Sequence, residues 1–141
     1  DTQNLNIEFR HCTLEDYKEK NNHDLIILSE VLEHVADPQL AISHLTTYLK
    51  PGGKLIISTV NRNLKSFLGA IVGAEYILGL IPKGTHRYRD FIKPSELINP
   101  LLAKRYQLEA LSGIYYNPFT QRASLARSVD INYIFSIKKP L

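Results

Sequence analysis

The sequence predicts an α/β fold built around a parallel strand–helix–strand unit. Three observations carry that reading. Asp24-Leu25-Ile26-Ile27-Leu28 is a short unbroken apolar run, as expected of a strand buried on both faces of a parallel sheet. Asp37-Pro38 has the form of a helix start, a capping carboxylate followed by proline at the first helical position, and Lys50-Pro51-Gly52-Gly53 has the form of a stop. Lys54 to Val60 is a second apolar run, with Leu55, Ile56 and Ile57 at its centre.

Each further element follows from its own pattern. Leu5 to His11 alternate, with Leu5, Ile7 and Phe9 on one side, and read as a strand. The helix from Asp37 to about Leu49 draws its apolar face from Leu40, Ile42, Leu45, Tyr48 and Leu49. A second helix is expected from Pro94 to about Ala103, kinked or shortened by Pro100 inside it. Tyr106 to Tyr116 and Val129 to Ile137 are extended segments. The second alternates through Val129, Ile131, Tyr133, Phe135 and Ile137. Together they predict an antiparallel hairpin whose long loop contains Asn117-Pro118.

Composition narrows the classes. The 141 residues are 44% apolar and 22% charged, enough apolar material for a core and too much for a disordered chain. One cysteine, Cys12, excludes an internal disulfide framework and fits a reducing compartment. The chain contains no methionine and begins at Asp1, so it is expected to be processed or a fragment; its first residues show no signal-peptide pattern. The net charge of +3 is unevenly spread, with nine acids against three bases in residues 1–37 and +9 on the remainder. There is no long basic run and no zinc or reading-helix signature, so a nucleic-acid partner is not expected. A basic half facing an anionic membrane or cofactor fits the same numbers.

The chemistry concentrates in Ser29-Glu30-Val31-Leu32-Glu33-His34-Val35, just past the carboxyl end of a buried strand, where ligands bind in open α/β sheets. On a helical turn, Glu30, Glu33 and His34 would fall within an arc of about 100°. Two carboxylates and an imidazole on one face suit a divalent cation, or His34 suits a general base. A solvated helix start, with two acids near the positive end of the helix dipole, accounts for the same residues.

Asp24 to Val35, Asp37-Pro38 and Leu49 to Leu55 resemble the middle of a class I S-adenosylmethionine-dependent methyltransferase. Further stretches resemble the ubiquinone-biosynthesis O-methyltransferase family: Ser58-Thr59-Val60-Asn61-Arg62-Asn63, Gly73-Ala74-Glu75-Tyr76-Ile77-Leu78, Pro82-Lys83-Gly84-Thr85-His86, Phe91 to Leu97, Gly113 to Pro118 and Val129 to Tyr133. The resemblance implies a Rossmann-like class I methyltransferase sheet, N-terminally truncated, with a C-terminal antiparallel hairpin. It implies S-adenosylmethionine as cofactor and O-methylation of a ring hydroxyl on polyprenylated catechol or quinol intermediates. The Gly-rich turn that holds the methyl donor in that family is absent here; Gly52-Gly53 follow a helix, not a strand.

The resemblance also implies roles. Leu14 and Glu15 match a loop that contacts the adenine, and Ser29 matches a position lining the cofactor pocket. Glu30, Glu33 and His34 match divalent metal ligands, magnesium being the expected ion. A cation would lower the pKa of a phenolic hydroxyl, ordinarily about 10; His34 as a base is the alternative. Asn61, Arg62, His86, Tyr116 and Asn117 are candidates to line the substrate pocket, against an ordinary role in structuring loops and surface.

Residues 67–81 hold eleven apolar residues, three glycines and one acid, Glu75. Fifteen helical residues span about 22 Å, too short for a bilayer core of about 30 Å. The segment reads either as a buried or substrate-covering helix or as an in-plane membrane helix with an apolar face of Phe67, Leu68, Ile71, Val72, Leu78 and Ile81. Between Arg62 and Lys93 six bases stand against two acids, which favours an anionic surface. The expected organisation is one partial methyltransferase domain, 1–141, with a membrane-interface insertion at 64–83. The expected partners are a polyprenylated phenolic substrate, an anionic membrane surface and other ubiquinone-pathway enzymes. The expected location is peripheral, on the cytoplasmic side of a bacterial membrane or the matrix side of the mitochondrial inner membrane. The alternatives are a non-catalytic lipid-binding remnant and a methyltransferase for another small lipid-like substrate.

Overall fold

A five-stranded mixed sheet organises the chain in a computed structural model that describes residues 7–14, 16–18, 22–63, 88–117 and 120–141. The elements run β1 (His23–Ser29), a 3-10 turn (Leu32–His34), α1 (Pro38–Thr47) and β2 (Leu49–Val60). A second 3-10 turn (Tyr88–Asp90) leads to α2 (Pro94–Ala103), β3 (Gln107–Asn117), β4 (Arg122–Ala126) and β5 (Asn132–Lys138). The spatial order is β1-β2-β5-β3-β4. β1 and β2 are parallel, joined through α1 as the apolar runs predict, and their carboxyl ends align with Ser29 opposite Ser58.

Local signals set most boundaries. The Asp37 carboxylate accepts the Leu40 amide at 3.0 Å and Pro38 occupies the first turn, so α1 begins where the cap predicts. It ends at Thr47, and β2 starts at Leu49 rather than Lys54. Lys50-Pro51-Gly52-Gly53 is therefore a bulge within β2: the register jumps from His23–Leu49 to Leu25–Lys54, and Gly52 takes φ 74°, which favours glycine. α2 spans Pro94–Ala103 as expected and keeps Pro100 in its last turns.

Three expectations are corrected. Residues 7–11 form no strand, and Ile7 and Phe9 are exposed; among the described residues no neighbouring strand is there to pair with them, and an unpaired strand gains no ladder bonds. β1 is not buried on both faces: Leu28 is buried, whereas Leu25 and Ile27 are 47% and 60% exposed. The reason is that α1 and α2 pack on the same face, against Leu28, Leu55, Ile57, Tyr133, Phe135 and Ile137, and β1 is an edge strand of the described sheet. The C-terminal segments do pair antiparallel, Leu111 opposite Phe135, but they are not a simple hairpin. β5 lies between β2 and β3, and the connecting loop contains β4, which pairs along the outer edge of β3. On α1, Leu40 is exposed while Ala41, Ile42 and Leu45 are buried. The insertion at 64–83, including Phe67, Leu68, Ile71, Val72, Leu78 and Ile81, lies outside the described residues. Within the described residues no helix is long and apolar enough to cross a membrane.

Candidate active site

The parallel strands β1 and β2 end side by side, and the residues just past those ends build the site. Glu30 adopts φ 51°, a left-handed conformation that stops any helix from starting there. The regular turn is confined to Leu32–His34. The Ser58 hydroxyl donates to Glu30 Oε1 at 2.9 Å and lies 3.2 Å from the Ser29 hydroxyl. One residue on, the Thr59 hydroxyl donates to Glu33 Oε2 at 2.7 Å. Glu33 is buried, and its other oxygen, Oε1, has no hydrogen-bond partner.

Two carboxylates thus share a small volume at the carboxyl edge of the sheet. Much of the Glu30 side chain is exposed, but its carboxyl end is withdrawn from water. That burial, reinforced by the Glu33 charge, pushes its pKa up from 4.5 to about 7 against the opposing Ser58 hydrogen bond. His34, the residue after Glu33, is exposed. The helical turn expected to align Glu30, Glu33 and His34 on one face is corrected: the left-handed Glu30 breaks the 100° progression, and the turn begins only at Leu32. Among the described residues no group of three His, Cys, Asp or Glu side chains is placed to hold a metal ion.

A cavity of about 320 Å³ opens beside Glu33, between the 3-10 turn, α1 and α2. Leu32, Phe91, Ile92 and Leu97 give it apolar walls, and Gln39, Arg62 and Glu96 give it polar groups. Arg62, expected as a pocket residue, lines it and donates through Nη2 to Glu96 Oε1. The other candidates are placed elsewhere. Asn61 is buried and donates to the Val129 carbonyl at 2.8 Å, tying the end of β2 to the loop before β5. Tyr116 is exposed on β3 opposite Ala123, and Asn117 Oδ1 accepts the Thr120 amide in the β3–β4 turn. β3 and β4 form the end of the sheet remote from β1, so neither residue joins the carboxylate pair. His86 and Glu15 lie outside the described residues.

Leu14, expected to contact the cofactor, lines a second cavity of about 370 Å³ with Ala36, Leu40, Ala41 and His44. Tyr17 pins its segment there, since its carbonyl accepts from Tyr48 Oη and pairs with His44 Nε2, both at 3.0 Å. Sequence reasoning overlooked Ser58 and Thr59 as partners of the carboxylates, although their position at the end of a buried parallel strand signals a ligand edge. It also overlooked Gln39 and Glu96, which carry no local signal beyond the helix starts they occupy.

Residues 3–128 match a family model described as a methyltransferase domain. The chain is 44% identical over 134 residues to a ubiquinone biosynthesis O-methyltransferase of Marinobacter nauticus, covering 92% of this chain and 56% of the relative. It is 45% identical over 130 residues to the enzyme of the same name from Aliivibrio fischeri, covering 91% and 56%. The chain thus spans about half the length of the curated relatives it matches. Among solved structures, the plantazolicin methyltransferase BpumL, in complex with a triazolic desmethylPZN analog and SAH, superposes with a TM-score of 0.66 at 14% identity, covering 99% of this chain and 61% of its own. A possible histamine N-methyltransferase from Thermotoga maritima gives 0.57 at 21% identity, covering 91% and 61%. These likenesses establish the fold: the sheet and its helices are those of an α/β methyltransferase.

Proposed function

The chain belongs to the methyltransferase-domain family, and from that premise we propose that it forms the acceptor side of an S-adenosylmethionine-dependent O-methyltransferase. Its substrates are ring hydroxyls of polyprenylated catechol or quinol intermediates of ubiquinone biosynthesis. The names of the relatives at 44–45% identity support the substrate class. The observation that carries the reading is the partnerless oxygen of buried Glu33 beside a cavity of about 320 Å³ whose walls combine Leu32, Phe91, Ile92 and Leu97 with polar groups. A ring fits such walls, and its hydroxyl is the donor that oxygen lacks.

The residues present fit one side of the cofactor: Ser29 at the carboxyl edge of the sheet and Leu14 against α1. When bound, S-adenosylmethionine supplies an activated methyl group. The chain's part is alignment and proton handling. Thr59 fixes Glu33 to receive the acceptor hydroxyl and to take up its proton as the oxygen becomes nucleophilic, and the neighbouring Glu30 carboxyl, pushed up to about 7 by burial and the Glu33 charge, is the next group able to hold that proton. His34, exposed beside Glu33, is the alternative proton acceptor. Glu30, Glu33 and His34 do not fit a three-donor metal site, and no step is assigned to a cation.

The test is methyl transfer from labelled S-adenosylmethionine to a prenylated catechol, by the chain joined to the segment that the Marinobacter relative carries outside the matched region. The expected result is a labelled ether, with kcat lowered about 10²-fold by Glu33→Gln. A folded, cofactor-binding chimera that transfers no methyl group overturns the reading. We further propose that residues 67–81 and their basic flanks dock on anionic lipid, which places the protein at the membrane surface and delivers a polyprenylated ring to the cavity. Ile71→Glu with Leu78→Glu should then abolish co-sedimentation with phosphatidylglycerol vesicles; unchanged co-sedimentation overturns it.

A further inference from the structure

We propose that Glu96 is the positioning residue of the acceptor cavity; the proposal rests on the reading of that cavity as the acceptor site. Three bonds meet on this one residue. Its Oε1 accepts from Arg62 at the end of β2. Its Oε2 accepts the Lys93 amide at 2.9 Å, closing the first turn of α2 on itself. Its backbone carbonyl accepts from the Gln39 side-chain amide on α1.

The last bond has a cause in the sequence. In an α-helix the carbonyl of residue 96 bonds the amide of residue 100, and residue 100 is proline, which has none. Pro100 therefore frees the Glu96 carbonyl, and Gln39 takes it. The result joins β2, α1 and α2 at the wall of a single cavity, which Gln39, Arg62 and Glu96 all line.

Stability does not account for the arrangement. Arg62 and Glu96 side chains are each about a third exposed, at 33% and 39%, and ion pairs in such settings contribute little net stability. What the arrangement does supply is direction. A free arginine samples many rotamers, whereas one held by a carboxylate that is itself locked into a helix cap keeps its remaining donors in a fixed fork. Arg62 lines the same cavity as Glu33, so donors held in this way serve a ring oxygen bound there. The role of Glu96 is to set where Arg62 points.

The experiment titrates the ¹⁵N-labelled full chain with catechol and follows both backbone amides and the Arg62 Nε–Hε resonance. In the wild type, catechol should shift the amides of Leu32, Gln39 and Ile92, and the Arg62 resonance should be distinct from that of free arginine. Glu96→Gln keeps an oxygen for the helix cap but loses the charge-assisted bond, so catechol should bind about tenfold more weakly, with the Arg62 signal moved to the free position. Glu96→Asp should recover most of the binding. Pro100→Ala restores the amide that competes with Gln39. It should raise the melting temperature while weakening catechol binding, a divergence that a purely structural role does not produce. If Glu96→Gln binds catechol as the wild type does, Glu96 is not a positioning residue and the acceptor cavity stands. If the wild type shows no shifts at the cavity, the acceptor reading falls and this proposal falls with it.

Discussion

Glu30 shows how one backbone angle redirects a site. At φ 51° it leaves the helical progression, and its carboxyl meets Ser58 and Glu33 instead of His34. The electrostatic consequence is measurable. Its pKa is raised from 4.5 to about 7, so between those values the folded chain binds more protons than the unfolded chain. Stability from this group is fully present below pH 4.5 and is lost as the pH rises through 7. Urea unfolding between pH 4.5 and 7.5 should therefore show stability falling with pH, and Glu30→Gln should flatten that slope and be the more stable protein at pH 7.5. A slope unchanged in the variant would show that Glu30 titrates normally. The carboxylates were legible in the sequence as residues worth watching. Their grouping was not, because spacing gives side-chain directions only if the backbone stays helical.

Elements formed where their ends were marked. Asp37-Pro38 and Pro94 start α1 and α2 at the expected residues, because caps and prolines act through bonds within one turn. Asp37→Ala should cost about 1 kcal/mol, read by chemical denaturation, since it removes the 3.0 Å bond to the Leu40 amide. The strands were harder to read. Of the alternation from Val129 to Ile137, Tyr133, Phe135 and Ile137 are buried as expected, whereas Ile131 is exposed because β5 begins only at Asn132. β4 was missed because Arg122–Ala126 is short and mostly exposed, and it is a strand only by pairing with β3. Gly113 marks that region's tightest approach: a Cβ there would lie 1.7 Å from the Ser128 carbonyl oxygen.

At the scale of the molecule, a parallel strand pair whose described helices all pack on one face leaves the other face open. Leu25 and Ile27 lie on that face, on an edge strand, and an apolar edge is a surface for self-association. Sedimentation velocity on the isolated chain should show concentration-dependent association, and Ile27→Lys should shift it toward monomer; association unaffected by the substitution would place the contact elsewhere. By itself the sequence determined the α/β class, the parallel β1–α1–β2 unit and the helix starts. Each of these depends on residues within a turn, or on a period of 2 or 3.6. The tertiary structure alone decided that β5 enters between β2 and β3, that Thr59 and Ser58 hold the two carboxylates, and that Glu96 joins Arg62 to Gln39. These contacts link residues 26 to 57 positions apart, and no local pattern encodes which distant groups a sheet order will bring together.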